Sequence, residues 1–255
     1  MIILATNFPN FKNKHRYISH FSAMRFEELN DMPKNVILSY SSRLSEYIRR
    51  NIEMKRKRSG IDYAGAIVLK SYVSTDNKLM LVSMPPGSPL TSTTADLLIA
   101  NGAKRIIIMG CAGAINSELT FGDIVICNKA VRDEGTSHHY VKSQMYVSSS
   151  NTLTNLLCRI SKDLDIKFFV GPTWTTDAMF RETKREISYY SKLHIFTVEM
   201  EAAALFAVAK KRKINASAIF SISDVLYEKK WSDFHDDRHK GYRKLARIAL
   251  GFKDL

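Results

Sequence analysis

The chain has 255 residues, 45% apolar and 25% charged, and carries 38 Lys and Arg against 25 Asp and Glu, a net charge of +13. This is the make-up of a folded globular protein, which excludes disordered and fibrous classes. The positive surplus suits anionic substrates or nucleic acid, but no aromatic residues interleave with the densest basic runs, 12–16 and 55–58, so nucleic acid is set aside as a partner.

In chain order, 36–38 reads as a strand and 42–58 as an amphipathic helix. A strand over 78–83 runs into the turn Met84-Pro-Pro-Gly-Ser-Pro89, followed by a helix over 91–101 that Gly102 stops. Residues 105–109 form a buried strand ended by Gly110-Cys-Ala-Gly113, and 121–126 form another. Helices are expected over 150–163, 198–210 and 237–251, with a strand over 216–223. Apolar runs alternating with helical patterns and short connections predict an α/β fold around a largely parallel sheet. Residues 1–19 read as an N-terminal arm and 20–255 as a single domain. Cys111, Cys127 and Cys158 each lie in an apolar run and read as reduced thiols of a cytoplasmic protein. No apolar stretch approaches the about 20 residues a membrane span needs, and the first residues lack the basic region of a signal peptide.

Polar residues at strand ends are where ligands gather in such sheets. Gly110-Cys-Ala-Gly-Ala-Ile115 is either a tight turn or a loop whose small residues let a ligand approach the backbone. Glu199 and Glu201 either complement a helix dipole or offer two acceptor oxygens to a sugar diol. Asp224, at a strand end, is either a turn residue or a general acid. His138 and His139 are adjacent and lack the spacing of metal ligands.

Together these segments resemble the nucleoside phosphorylase family, which contains the hexameric purine nucleoside phosphorylases and the uridine phosphorylases. The resemblance rests on the 110–115 loop, on Gly122-Asp-Ile-Val-Ile126 with Arg132-Asp-Glu-Gly-Thr-Ser137, on 175–183, and on Val198-Glu-Met-Glu-Ala-Ala203 with Ser223-Asp224. It implies a three-layer α/β sandwich around a mixed sheet, assembled as a homo-oligomer (a hexamer built from dimers), that cleaves a nucleoside N-glycosidic bond with inorganic phosphate and needs no other cofactor. By the same resemblance Glu201, Met200 and His20 bind ribose, with His15 less well placed. Asp224, Arg185 and Phe180 serve the base, and Arg43, Gly110 and Cys111 bind phosphate. Thr183 stands where uridine-cleaving members keep a glutamine, which points to purines.

The phosphate segment departs from the family pattern. Ser39 replaces a glycine, Ile108 an arginine and Cys111 a hydroxyl residue, an arginine donated by a neighbouring subunit falls near Gly65, and Pro85 and Pro86 stand in a usually flexible turn. Lys70 and the 55–58 run are candidate replacements. Two alternatives therefore stand beside phosphorolysis. One is a nucleosidase using water, with Glu134 as its base; the other is a non-catalytic nucleoside-binding paralogue that pairs with an active subunit.

Overall fold

A computed structural model of the chain describes residues 11, 13–20, 23, 31–57, 61–63, 67–227 and 238–255. Its elements are β1 (Asn35–Ser39), α1 (Ser42–Asn51), β2 (Met54–Arg56), β3 (Ile61–Tyr63), β4 (Ile67–Ser74), β5 (Leu79–Ser83), α2 (Ser88–Ala100), β6 (Arg105–Ala114), β7 (Ile124–Asp133), β8 (Tyr146–Ser148), α3 (Asn151–Asp163), β9 (Phe168–Thr176), α4 (Lys184–Lys192), β10 (Thr197–Glu199), α5 (Ala202–Arg212), β11 (Asn215–Val225) and α6 (Arg238–Lys253).

The strands form one mixed sheet in the order β10-β9-β7-β11-β6-β1-β5-β4-β2, with β3 on β4 and β8 on β7. Its central run, β5-β1-β6-β11, is parallel. β10 pairs with β9 on one side and antiparallel with β6 on the other, so β6, β11, β7, β9 and β10 close into a ring. Helices α2 and α5 bury Leu98, Leu205 and Phe206 against one face of the sheet. Helices α1, α3 and α6 bury Leu44, Leu157 and Phe252 against the other. This is the three-layer mixed α/β fold expected above. Among the described residues no helix is long and apolar enough to cross a membrane.

Local chemistry explains where elements start and stop. Ser41 caps α1 by accepting the Leu44 amide at 3.2 Å. Helix α1 ends at Asn51 rather than running to Arg58, because Lys55 and Arg56 offer nothing to bury and their backbone pairs with β4 instead. The segment read as one helix from Val198 is divided: Thr197–Glu199 bridges β9 and β6 as a strand, and the helix begins at Ala202. β6 continues through the glycines to Ala114 because β11 pairs with it along its whole length.

Helix α6 lies hard against β11. A Cβ on Gly241 would overlap the Ser221 hydroxyl, so only glycine lets the helix approach this closely. Gly241→Ala should cost about 1–3 kcal/mol through overpacking, partly offset by up to about 1 kcal/mol of helix propensity. Scanning calorimetry should show Tm falling by several degrees; a rise would mean the contact relaxes freely.

Candidate active site

The sheet opens at one place. β1 pairs with β6 only as far as Leu38 and Ile108, and β10 joins the same edge of β6 at Gly113 and Ala114. Between them, residues 109–112 have no strand partner on that side, a crevice at the carboxyl ends of parallel strands.

Glu201 stands at one wall. It is 5% exposed, and its Oε1 accepts the Gly87 amide at 2.7 Å. Gly87 has φ +127°, a conformation glycine adopts without strain, and Ser88 fixes the adjoining backbone by donating to the Met200 carbonyl at 2.7 Å. The Thr91 hydroxyl donates to the Gly87 carbonyl at 2.9 Å and lies 2.7 Å from the Tyr40 hydroxyl. The exposed prolines 85 and 86 thus deliver a rigid turn whose amide is aimed at Glu201.

The two carboxylates of 198–201 have separate tasks. Glu199 accepts the Thr175 hydroxyl at 2.5 Å and the amides of Glu201 and Ala202 at 2.8 and 2.7 Å, so it caps α5. Glu201 is thereby released from helix duty. Burial holds both carboxyls above the usual range, and the charge of Glu199 adds to the effect on Glu201.

Asp224 stands beside Gly113: a Cβ there would lie 3.0 Å from Asp224 Oδ2 and 3.2 Å from Val198 of β10. The pairing of β11 with β6 slips at Ser223, taking Ile222 opposite Ala112 and then Asp224 opposite Gly113, and such an irregularity re-aims a side chain. Ser223 donates to Asp224 Oδ1 at 2.7 Å. Glu182 is pushed up to about 7 by burial and then by the charges of Asp224 and Glu186.

Met200 is half-buried next to Glu201, whereas Phe180 is 93% exposed on a 3-10 turn and Arg185 is exposed in the first turn of α4. Thr183 caps α4 in a reciprocal box with Glu186, which commits its hydroxyl. His20 is exposed, and His15 lies in a different cavity. Gly65 lies outside the described residues.

The third side of the crevice is where the resemblance puts phosphate. Gly110 faces Tyr40, with 4.0 Å between its ideal Cβ and the ring. Cys111 Sγ lies 3.0 Å from the Tyr242 hydroxyl, which also accepts from Ser41 at 3.3 Å. Arg43, exposed at the start of α1, has no side-chain hydrogen bond among the described residues. Ser39 is fully buried and Ile108 packs in the core. Lys70 falls in one register row with Ser83 and Ser39, two strands away; Lys55 and Arg56 lie farther out, on β2. Glu134 has both oxygens on the amides of Thr136 and Ser137, so it is tied into its own loop. Sequence reasoning missed Tyr40, Gly87, Thr91, Glu182 and Tyr242. Of these only Gly87, just before a helix start, carried a local signal.

A thiol is a weak donor. Cys111→Ser should therefore strengthen an anion site here and lower KM for phosphate about fivefold, the value of one added hydrogen bond of about 1 kcal/mol. Initial rates at varied phosphate check this; an unchanged KM would remove residue 111 from the anion site.

A crevice at strand ends, with a fixed buried carboxylate held by Gly87 and a half-buried one beside Gly113, defines the class: an α/β enzyme for a small hydroxylated substrate. The chain belongs to the phosphorylase superfamily, whose family model matches residues 36–253. It is 30% identical over 180 residues to guanosine phosphorylase of Halorubrum lacusprofundi, covering 70% of this chain and 68% of that one. It is 25% identical over 208 residues to the DeoD-type purine nucleoside phosphorylase of Buchnera aphidicola subsp. Acyrthosiphon pisum, covering 80% and 85%. Its fold matches purine nucleoside phosphorylase of Toxoplasma gondii, solved with immucillin-H, at a TM-score of 0.76 and 20% identity, covering 88% and 91%.

Proposed function

We propose that the protein is a nucleoside phosphorylase acting on purine nucleosides. Phosphate oxygen bonds to C1′, the C1′–N9 bond breaks with its electron pair passing to the base, and the base takes up a proton. The products are free purine and ribose 1-phosphate. The observation that carries the reading is Glu201: a buried carboxylate fixed by the Gly87 amide and freed from capping by Glu199. Two acceptor oxygens suit the 2′ and 3′ hydroxyls of ribose, with Met200 against the sugar.

The transition state carries positive charge on the sugar and negative charge on the base, so it gains most from groups fixed in advance at both ends. Asp224 serves the base. Glu182, held up to about 7 by burial first and then by the charges of Asp224 and Glu186, keeps a proton into the neutral range. Arg43, Gly110 and Cys111 bind phosphate, while Phe180 and Arg185 border the base and His20 the sugar. The purine preference is supported by the names of the relatives and by Thr183, whose hydroxyl caps α4. The active form is a homo-oligomer, a hexamer built from dimers in the cytoplasm that needs no cofactor beyond phosphate. The exposed Met179 and Phe180 suit a subunit contact, and light scattering gives the mass.

Water as acceptor is the second reading, favoured by Ile108 and Ser39 at positions where the family keeps phosphate ligands. The commitment of Glu134 to loop amides weighs against it. Inosine, guanosine, adenosine and uridine are tested with and without phosphate, reading released base. Phosphate-dependent release from the purine nucleosides is expected; release without phosphate, or from uridine alone, would overturn the reading.

A further inference from the structure

Away from the crevice, a cavity of about 400 Å3 opens against the C-terminal end of α5. Its lining carries His15, Arg132, Lys142, Lys210 and Lys211, and no carboxylate.

Part of this charge has an ordinary cause. Lys210, Lys211 and Arg212 end α5, where unpaired carbonyls favour cations. Arg212 is neutralised, with Nε 2.6 Å from Asp96 Oδ1, and Asp96 Oδ2 is taken by the Tyr140 hydroxyl at 2.8 Å. Arg132 is buried and spends its guanidinium on Ser137 Oγ and on the carbonyls of Lys142 and Val141. The carboxylate acting on it, Glu134, is held by loop amides.

The helix end does not account for the rest. Lys142 and His15 come from two other segments, and Lys211 Nζ reaches the His15 carbonyl at 2.6 Å, joining the N-terminal segment to the cavity wall. Among the described residues, Lys142, Lys210 and Lys211 form no ion pair. The His15 imidazole is held below its usual range by burial, with Arg16, Lys211, Lys142 and Arg132 all adding to the effect. Like charges gathered in a concavity with no counter-charge raise the local potential and draw anions. A second cavity of about 230 Å3 shares Lys210 and is lined by Ser148 and Ser150, and by Ser149, whose hydroxyl is spent on the Asn128 carbonyl.

We propose that this cavity binds a compact oligophosphate, a chain of two or three phosphoryl groups either free or as the tail of a nucleotide. Three lysines lining a space of small-molecule size with no carboxylate among them exceed what one phosphate can engage. Lysine ammonium and serine hydroxyl groups are good donors to phosphoryl oxygens.

Calorimetric titration of the full chain with sodium tripolyphosphate and with ATP tests this. Both probes should bind. The Lys142→Ala/Lys211→Ala variant should lose at least tenfold in affinity, whereas Lys104→Ala/Lys167→Ala, with the same net charge, stays within twofold. Lys142→Gln/Lys210→Gln, which keeps the Lys211 bond to His15, should show a similar loss and so guards against misfolding. ATP at least fivefold tighter assigns a nucleotide, and equal affinities assign the phosphate chain alone. The proposal is overturned by no binding of either probe, by equal losses in the cavity and control variants, by loss in Arg43→Ala instead, or by displacement at lower concentration by a single-stranded RNA.

Discussion

Asp224→Asn should lower kcat on inosine about 100- to 1,000-fold, within the range that loss of one positioned proton donor produces, with KM changed less than about threefold. The proposed role explains the selectivity: Asp224 is aimed by the slip at Ser223 and held by the Ser223 hydroxyl, so the substitution should act on the leaving base more than on sugar binding. A nucleoside already methylated at N7 carries its positive charge before the bond breaks, so 7-methylguanosine should be cleaved by the variant at nearly the wild-type rate. Equal losses on both substrates would remove Asp224 from the leaving-group role. The pH profile gives a second check. Glu182, pushed up to about 7 by burial and then by the charges of Asp224 and Glu186, loses its proton above that pH, and its added negative charge opposes the charge that builds up on a leaving base. The wild-type rate on inosine should therefore decline on the alkaline side of about pH 7, and Asp224→Asn should flatten that limb.

For Glu201→Gln the expected result is a fall of about 100- to 1,000-fold in kcat/KM, together with higher stability in alkali. In the proposed complex two ribose hydroxyls donate to this carboxylate, each bond worth about 1.5–3 kcal/mol, and a neutral amide keeps only part of that. 2′-Deoxyinosine makes only one of the two bonds, so the variant should lose less on it, about half as much in logarithmic terms. Identical losses on both sugars would refute the diol contact. The stability effect follows from linkage. An exposed glutamate ionises near 4.5, whereas burial and Glu199 hold folded Glu201 above that range. As pH rises through this interval the unfolded chain releases the proton first, so the carboxyl's contribution to stability is present in acid and lost on the way to its raised folded pKa. Glutamine has no proton to lose. Thermal melts at pH 8.5 should place the variant above wild type, with the difference gone at pH 5.

Much of this fold is legible in the chain because its central strands are buried on both faces. Val36-Ile-Leu38, Arg105–Met109 and Ala216–Ser223 announce themselves as apolar runs. Edge strands do not. β2 is Met-Lys-Arg and owes its form to pairing with β4 rather than to a pattern of its own. β9 was hidden by Gly171 and Pro172, and only its place between β7 and β10 makes it a strand. Helix α4 is short, and its Thr183–Glu186 box was the usable signal. In the candidate site, Glu201 and Asp224 stood out because each lies at the end of a regular element. Tyr40, Gly87 and Tyr242 reach the crevice from three separated segments, and no local spacing links them.

The strand order also bears on how the chain is made. β11 lies between β6 and β7, yet it is synthesised long after both. Until β11 is made, β6 and β7 each lack the partner that lies between them, the kind of exposed edge that slows folding and invites misassembly. β11 is followed in the chain by α6, which packs on it, so the pairing of β11 completes the ring and brings Asp224 opposite Gly113 in one event. Catalytic competence should appear all at once, and a ribosome-stalled chain ending before Asn215 would hold Glu201 with nothing facing it.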